Sequence, residues 1–363
     1  MPVHARGATK PPQPTPPAPR APGLFATSGV PAARRVELWE SHNAAALIGL
    51  DVRAAGPLDA TEVNVRLPQA RVARVSGSAH AVERTAAVID RSPADSVAVY
   101  LTLRGDARFA CQAGRYRLRP GDALVCETDQ PFAREFARGL EELVVTIPRP
   151  ALTARAGVTR LDAPVTVPFG APGDGRRSDR GTDTSRRPYA RALARIAGQA
   201  TRTGPPLSPD EHTVLDLVAV LVGGRDTVRA TAHRAAARCY TEEHLTDPNL
   251  GAEEIAAAIG LSERQLSRVF AADGTSVPQH ILSRRLELAH AVLAARPPEP
   301  TAPGQAGTAE TVADIAVRCG FTSATYFSHM FRKRFGFRAS ELRSGSFSFP
   351  PSGRVCLGTG QPA

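Results

Sequence analysis

The sequence predicts an α+β chain in two parts, a β-barrel followed by an all-α half, and three observations predict it. Between about residues 35 and 148, apolar and polar residues alternate with period two. Beyond about residue 228 the apolar period becomes 3.6, the signature of helices. Within that second half one short motif is written twice, as "EIAAAIGLSERQLSRVF" from Glu254 and as "DIAVRCGFTSATYFSHMFRKRFG" from Asp314.

A chain of 363 residues has room for two domains, each large enough to bury a core. The composition shifts divide it into a tail (1–34), a β-rich domain (35–165), a loop with a helical segment (166–224), a helical domain (228–344) and a second tail (345–363). No apolar run approaches the roughly 18 residues that cross a bilayer, which excludes a membrane protein. The opening "MPVHARGATKPPQPTPPAPRAPG" lacks the apolar core of an export signal and is dense in Pro, so it reads as a disordered tail on a cytoplasmic protein. The five cysteines, Cys111, Cys126, Cys239, Cys319 and Cys356, are widely spaced and form no CxxC pair. They read as core thiols rather than as a disulfide framework or a metal site, and no cofactor is implied. The net charge of +10 permits a polyanionic partner. Residues 225–345 hold 15 Arg and Lys against 13 Asp and Glu, so the surplus does not single out the helical half.

In the β-rich part, "EVNVRL", "ARVARV", "SVAVYLTL", "RFACQAGRYRLRPGDALVCE" and "LEELVVTIP" read as strands parted by Gly, Pro and Asp turns, the pattern of an all-β barrel or sandwich. In "SVAVYLTL", Val97, Val99, Leu101 and Leu103 fall on one face and Ala98, Tyr100 and Thr102 on the other. The first face is core; the second is placed to line a cavity. "GAPGDGRRSDRGTDTSRR" is a loop, and the helices "PYARALARIAGQA" and "SPDEHTVLDLVAVL" follow it. In the second, Ser208 caps, Pro209 takes the first helical position and Glu211 closes a capping box. Val214, Leu215, Leu217, Val218 and Leu221 are more apolar residues than one face against a small barrel requires, so this helix is expected to bury part of its surface on a second subunit in a homodimer. "GGRD" at 223–226 ends the helix and marks a boundary.

Each copy of the repeated motif has the grammar of a helix-turn-helix. Ile255, Ala256 and Ile259 give a short helix its apolar face, Gly260 supplies a turn that needs positive φ, and Leu261 plugs the corner. Ser262 and Gln265 form a capping box for the next helix, which Leu266, Val269 and Phe270 hold in place while Arg264, Ser267 and Arg268 face outward. In the second copy Ile315, Ala316 and Cys319, then Gly320 and Phe321, then Ser323 with Phe327 and Phe331 play the same parts, with one extra residue in the turn. Thr325, Ser328 and His329 face outward there. Between the copies, "VPQHILSRRLELAHAVLAA" reads as a 19-residue helix about 28 Å long at 1.5 Å per residue. One turn of DNA is about 34 Å, so a rigid spacer of this length can set two recognition helices into successive major-groove segments on one face of the duplex.

"GLSERQLSRVF", "SRRLELAHAVL", "DIAVRCGFTSATYFSHMFRKRFG" and "RASELR" together resemble the DNA-binding domain of the AraC/XylS family of bacterial transcription regulators, over about residues 228–344. The N-terminal half is similar to that family's cupin-like sensor domains, with "YRLRPGDALV" resembling a hairpin of their barrel. The resemblance implies a regulator that binds double-stranded promoter DNA, touches RNA polymerase, and uses its barrel to bind a small-molecule effector or to dimerise. It implies base reading by Arg264, Ser267 and Arg268, the arginines being suited to bidentate bonds with guanine. In the second helix the matching positions are Ala324, Thr325, Ser328 and His329. His329 departs from the Arg or Gln common in the family, which implies weaker base reading there and phosphate anchoring by Arg332, Lys333 and Arg334. The Pro- and Gly-rich stretch at 296–310 replaces a short turn and predicts a looser second unit.

Metal-dependent oxygenases also use cupin-like barrels, but they need a cluster of His and carboxylate ligands. The β-rich region holds only His42 and His80 and no HxH, so no enzyme activity is expected. Trp39, Tyr100, Arg104, Tyr116 and Arg117 stand near predicted strands as possible pocket groups, with surface exposure or ordinary packing as the alternative for each; the effector contacts stay unassigned. A regulator whose barrel only dimerises remains the rival reading.

Overall fold

The computed structural model describes residues 23–170, 184–202, 209–223, 228–295 and 310–344. Most of both tails, most of the loop after residue 170, Ser208, Cys356 and all but the last residue of the 296–310 stretch lie outside them. Two compact units emerge, Met1–Ala232 and His233–Ala363.

The first unit carries twelve strands among its described residues, in two antiparallel sheets. One orders β1 (Gly23–Ala26), β3 (Ala60–Arg66), β4 (Arg71–Gly77), β11 (Leu140–Pro148), β6 (Ser96–Arg104), β9 (Asp122–Glu127) and β12 (Val165–Pro168). The other orders β2 (Asp51–Arg53), β5 (His80–Arg84), β10 (Phe132–Phe136), β7 (Ala107–Cys111) and β8 (Gly114–Leu118). The expected barrel is therefore two facing sheets, not one closed ladder. Part of the reason lies in "RLRPGDAL": the Asp122 amide donates to the Arg119 carbonyl and Gly121 takes φ +89°, turning the chain from β8 to β9. Pro120 has no amide to extend a ladder around that corner.

Helices cover the outer face of the larger sheet. α3 (Arg149–Ala156), α4 (Arg187–Ala200) and α5 (Glu211–Leu221) follow the strands, and α3 and α4 lie on β4, β6, β11 and β12. This is why the β6 residues from Ser96 to Thr102 are buried on both faces. Two sequence expectations change here. α5 starts at Glu211 with Asp210, not Ser208, as its cap, the Asp210 carboxylate accepting from the Thr213 amide. Every residue of α5 from Val214 to Leu221 is buried within this chain, packed against α3 and α4, so its apolar surplus is consumed without a second subunit.

The N-terminal tail ends sooner than residue 34. Gly23–Ala26 pairs with β3, and α1 (Arg35–Ala46) follows where the alternation was expected to begin. α1 drops only Trp39 and Asn43 into the core, too few for a visible helical period.

Between the sheets lies a core that includes a buried ion pair. Arg134 on β10 makes a bidentate bridge to Glu142 on β11, at 2.9 and 2.6 Å, with both side chains under 5% exposed. The guanidinium carbon sits 3.7 Å from the centre of the Tyr100 ring. Burial alone would lower the Arg134 pKa, and the adjacent Glu142 carboxylate more than reverses that. Removing Glu142 strands a charge in the core, so Glu142→Ala is expected to destabilise this unit by about 3–5 kcal/mol in urea unfolding. The paired change Arg134→Met with Glu142→Leu should cost far less; equal losses would contradict the ion-pair account.

Candidate nucleic-acid interface

The second unit is built on one long helix. α6 (Arg229–Glu243) enters it; α7 (Ala252–Ala258) and α8 (Glu263–Ala271) form the first helix pair, and α9 (Val277–Ala294) is the spacer. α10 (Val312–Arg318), α11 (Ala324–Phe335) and α12 (Ala339–Arg343) form the second group. Local chemistry fixes each start. The Ser262 hydroxyl accepts from the Gln265 amide while the Gln265 side chain accepts from the Ser262 amide, and Ser276 with Gln279 repeats this at α9. Thr311 with Asp314 does the same at α10, and Ser323 caps α11 by accepting from the Tyr326 amide. Both turns place glycine at positive φ, +72° at Gly260 and +86° at Gly320, where a side chain would strain the backbone.

Packing then orients the recognition helices. Ile255, Ala256, Ile259, Leu266 and Phe270 are buried in the first helix pair, and His280 of α9 tilts against Phe270 at 5.2 Å. In the second, Ile315, Ala316, Cys319, Phe321, Phe327 and Phe331 close on Leu286, Ala289 and Leu293 of α9.

What this leaves outside is a polar face on each recognition helix. Arg264, Ser267 and Arg268 are all exposed and lie at i, i+3 and i+4 of α8. Neither arginine has an ion-pair partner among the described residues. Thr325, Ser328, His329 and Arg332 are exposed on one face of α11, with Lys333 beside His329. Two of the expected residues are partly engaged. The Ser328 hydroxyl donates to the Ala324 carbonyl at 2.9 Å, and the Arg334 guanidinium turns back to Glu287 of α9 at 3.8 Å and over the Phe335 ring. Arg334 is thereby tied to the spacer, while Arg332 and Lys333 project freely. Tyr326, which no sequence signal singles out, is 50% exposed one residue from Thr325. Its neighbour Phe327 is fully buried, and an aromatic pair reads as core unless the face is known.

The first unit holds a second candidate, the narrow cavity between its sheets. Trp39, Asn43, His80, Tyr100, Arg134 and Glu142 are among its lining groups, and about 40 Å³ is open to the centres of water molecules, room for two or three. The Arg134 Nε, itself buried, has no hydrogen-bond partner among the described residues. Burial lowers the His80 pKa and drives that of the Tyr100 phenol far above its usual range. Of the possible pocket groups, Trp39 and Tyr100 face this cavity. Arg104 and Arg117 are mostly exposed and paired with Glu141 and Asp106, and Tyr116 packs edge-on against Phe109. Among the described residues no group of His, Cys, Asp and Glu could hold a metal ion, and no helix is long and apolar enough to cross a membrane.

Comparison with known proteins adds the following. Residues 255–345 match a helix-turn-helix domain family, and residues 39–224, half of the chain, match an AraC-binding-like domain family. The transcriptional activator NphR of a Rhodococcus species is 25% identical over 295 residues, 76% of this chain and 79% of that protein. The transcriptional activator RhrA of Rhizobium meliloti (strain 1021) is 30% identical over 132 residues, a match that spans 35% of this chain and only 39% of that relative. The solved structure of the AraC-like transcriptional activator CuxR aligns over 75% of this chain and 96% of its own, with 19% identity and a TM-score of 0.44.

The two kinds of exposed cation should separate experimentally. Arg268→Ala is expected to cost about 1–3 kcal/mol on a preferred DNA site and little on random DNA, whereas Lys333→Ala should weaken both alike and reduce the salt slope by about 1. Fluorescence anisotropy over a salt series reads both quantities. Equal losses for Arg268→Ala on the two DNAs would make it a phosphate contact.

Proposed function

Because the chain belongs to the AraC family of transcription regulators, we propose that it binds promoter DNA in a sequence-specific way and activates transcription in response to a small-molecule effector. The observation that carries this reading is the pair of exposed polar faces on α8 and α11, held on one spacer helix. Arg264 and Arg268, with no ion pair among the described residues, are suited to guanine O6 and N7, and Ser267 to either base edge. On α11, Thr325, Ser328 and His329 offer shorter reach, so the second helix contributes less base reading and more backbone anchoring, through Arg332 and Lys333. The activator sign follows NphR and RhrA, which are both transcriptional activators. Contact with RNA polymerase, a cytoplasmic location and a homodimer belong to the same proposal, with the dimer contact formed by surfaces other than α5.

The effector part rests on the cavity between the sheets. A mostly apolar wall with one buried, unpartnered N–H is the usual makeup of a small-molecule site. The Arg134–Glu142 pair is neutral as a whole, so the cavity favours an uncharged molecule with an acceptor oxygen over an anion. How little room it leaves favours a second reading, a regulator whose sheet domain serves dimerisation alone. Saturable binding of a small molecule to the full-length protein, lost on Tyr100→Trp, would decide for the effector.

DNA reading is tested by selecting bound fragments of the source genome with purified full-length protein at two salt concentrations. The expected result is a motif of two half-elements about one helical turn apart, roughly 34 Å. Salt-sensitive binding without any motif would overturn sequence-specific regulation.

A further inference from the structure

The two helix-turn-helix units meet at a side chain of the spacer between them. Arg285 lies midway along α9 and is half buried. Its Nε donates to the Leu245 carbonyl at 2.9 Å and one terminal nitrogen donates to the Asp247 carbonyl, both on the loop that leads from α6 into the first unit. On its other side the guanidinium packs against the turn of the second unit. A Cβ built on Gly320 would stand 2.8 Å from Arg285 Nε and 2.8 Å from the Leu245 oxygen. The corresponding Gly260 has nothing within 4 Å of such a Cβ. The two turns need glycine for φ alike, but only at Gly320 does the missing side chain also let the other unit come close.

A chain of ion pairs runs parallel to this contact. Arg284 bridges Glu242 of α6 and Glu287 of α9, and Glu287 reaches Arg334 of α11 at 3.8 Å. These pairs are partly exposed, and exposed ion pairs add little each. The Arg285 contact differs in kind: a planar group with fixed donors spans two carbonyls and a glycine turn, so it constrains angle as well as distance.

We infer that Arg285 is a positioning residue for DNA reading, a clasp that fixes the second recognition helix relative to the first and so sets the spacing of half-elements the protein accepts. It touches no base. Its effect on DNA passes through the placement of α11, and in that respect the inference rests on the proposed function.

The first test needs no DNA. Spin labels carried on non-native residues at positions 271 and 340, exposed sites on α8 and α12, report the separation of the two units in the full-length protein. A narrow distance distribution is expected for the otherwise unaltered chain, one about twice as wide for Arg285→Met with helicity unchanged, and an intermediate one for Arg285→Lys, whose ammonium can hold one carbonyl at a time. Should Arg285→Met lose helicity, Gly320→Ala decides, because it keeps Arg285 and forces the turn off the clasp; its mean distance is expected to shift. Unaltered distributions in a folded Arg285→Met protein, or in Gly320→Ala, overturn the clasp. The second test inserts two base pairs between the half-elements of a selected site. Insertion should cost the unaltered protein at least tenfold in affinity and Arg285→Met less than threefold. Equal penalties overturn the role in spacing, while the lack of any two-element site counts against the DNA-reading proposal and leaves the label result standing.

Discussion

Everything in the helical half depends on the apolar seam along α9. Leu286, Ala289 and Leu293 are buried against Phe321, Phe327 and Phe331, and Val277 and Ile281 are buried nearer the α7–α8 helix pair. Each large apolar side chain taken out of water contributes about 1.5–3 kcal/mol as an upper estimate, so the second-unit seam amounts to order 10 kcal/mol. Lengthening the connector from a short turn to the stretch at 296–310 is roughly two doublings in length, at about 0.6 kcal/mol each. The burial term wins by a wide margin. The insertion therefore leaves the second unit seated on α9, and the polar contacts of Arg284, Arg285 and Glu287 choose the angle at which it sits.

The sheet domain follows a different logic. Its sheets are held apart by aromatic and charged groups at the centre, with Arg134 stacked on Tyr100 and bound to Glu142. A fully apolar core of the same volume would be at least as stable. Keeping a polar pair and an unpartnered N–H in a narrow cavity gives up stability where a ligand could recover it, and Trp39 and Asn43 of α1 form part of the wall. The contacts that hold α1 include Glu40 accepting from the Val52 amide, Arg71 at the carbonyls of Ala45 to Leu47, Arg35 on Asp59, and His42 facing the buried Glu62 and stacked on Phe25.

Much of this was legible in the sequence because its determinants are local. The capping box at Ser262, the glycine turns at Gly260 and Gly320, and the apolar spacing of Ile255 to Phe270 all act within a few residues, and they appear as read. The α+β class and the order of β-rich and helical halves were legible for the same reason. What failed depends on distant partners. The strand Gly23–Ala26 exists because β3 pairs with it, α1 is helical with only two buried residues, and α5 spends its apolar surplus on α3 and α4. The separate sheets depend on where the ladder stops, which alternation does not encode. On the polar faces of α8 and α11, the exposure of Arg264 and Arg268 follows from helical period. The diversion of Arg334 to Glu287, the exposure of Tyr326 and the clasp at Arg285 do not, because each is set by residues of another helix.

In the proposed function one chain reads two successive major-groove segments through helices fixed on a common spacer. Hydroxyl-radical footprinting of the full-length protein on a selected fragment is the experiment that decides it. Two protected patches about 10 base pairs apart on one face of the duplex are expected, the weaker one disappearing when His329 and Arg332 are replaced by Ala. A single patch, unchanged by that replacement, would contradict it.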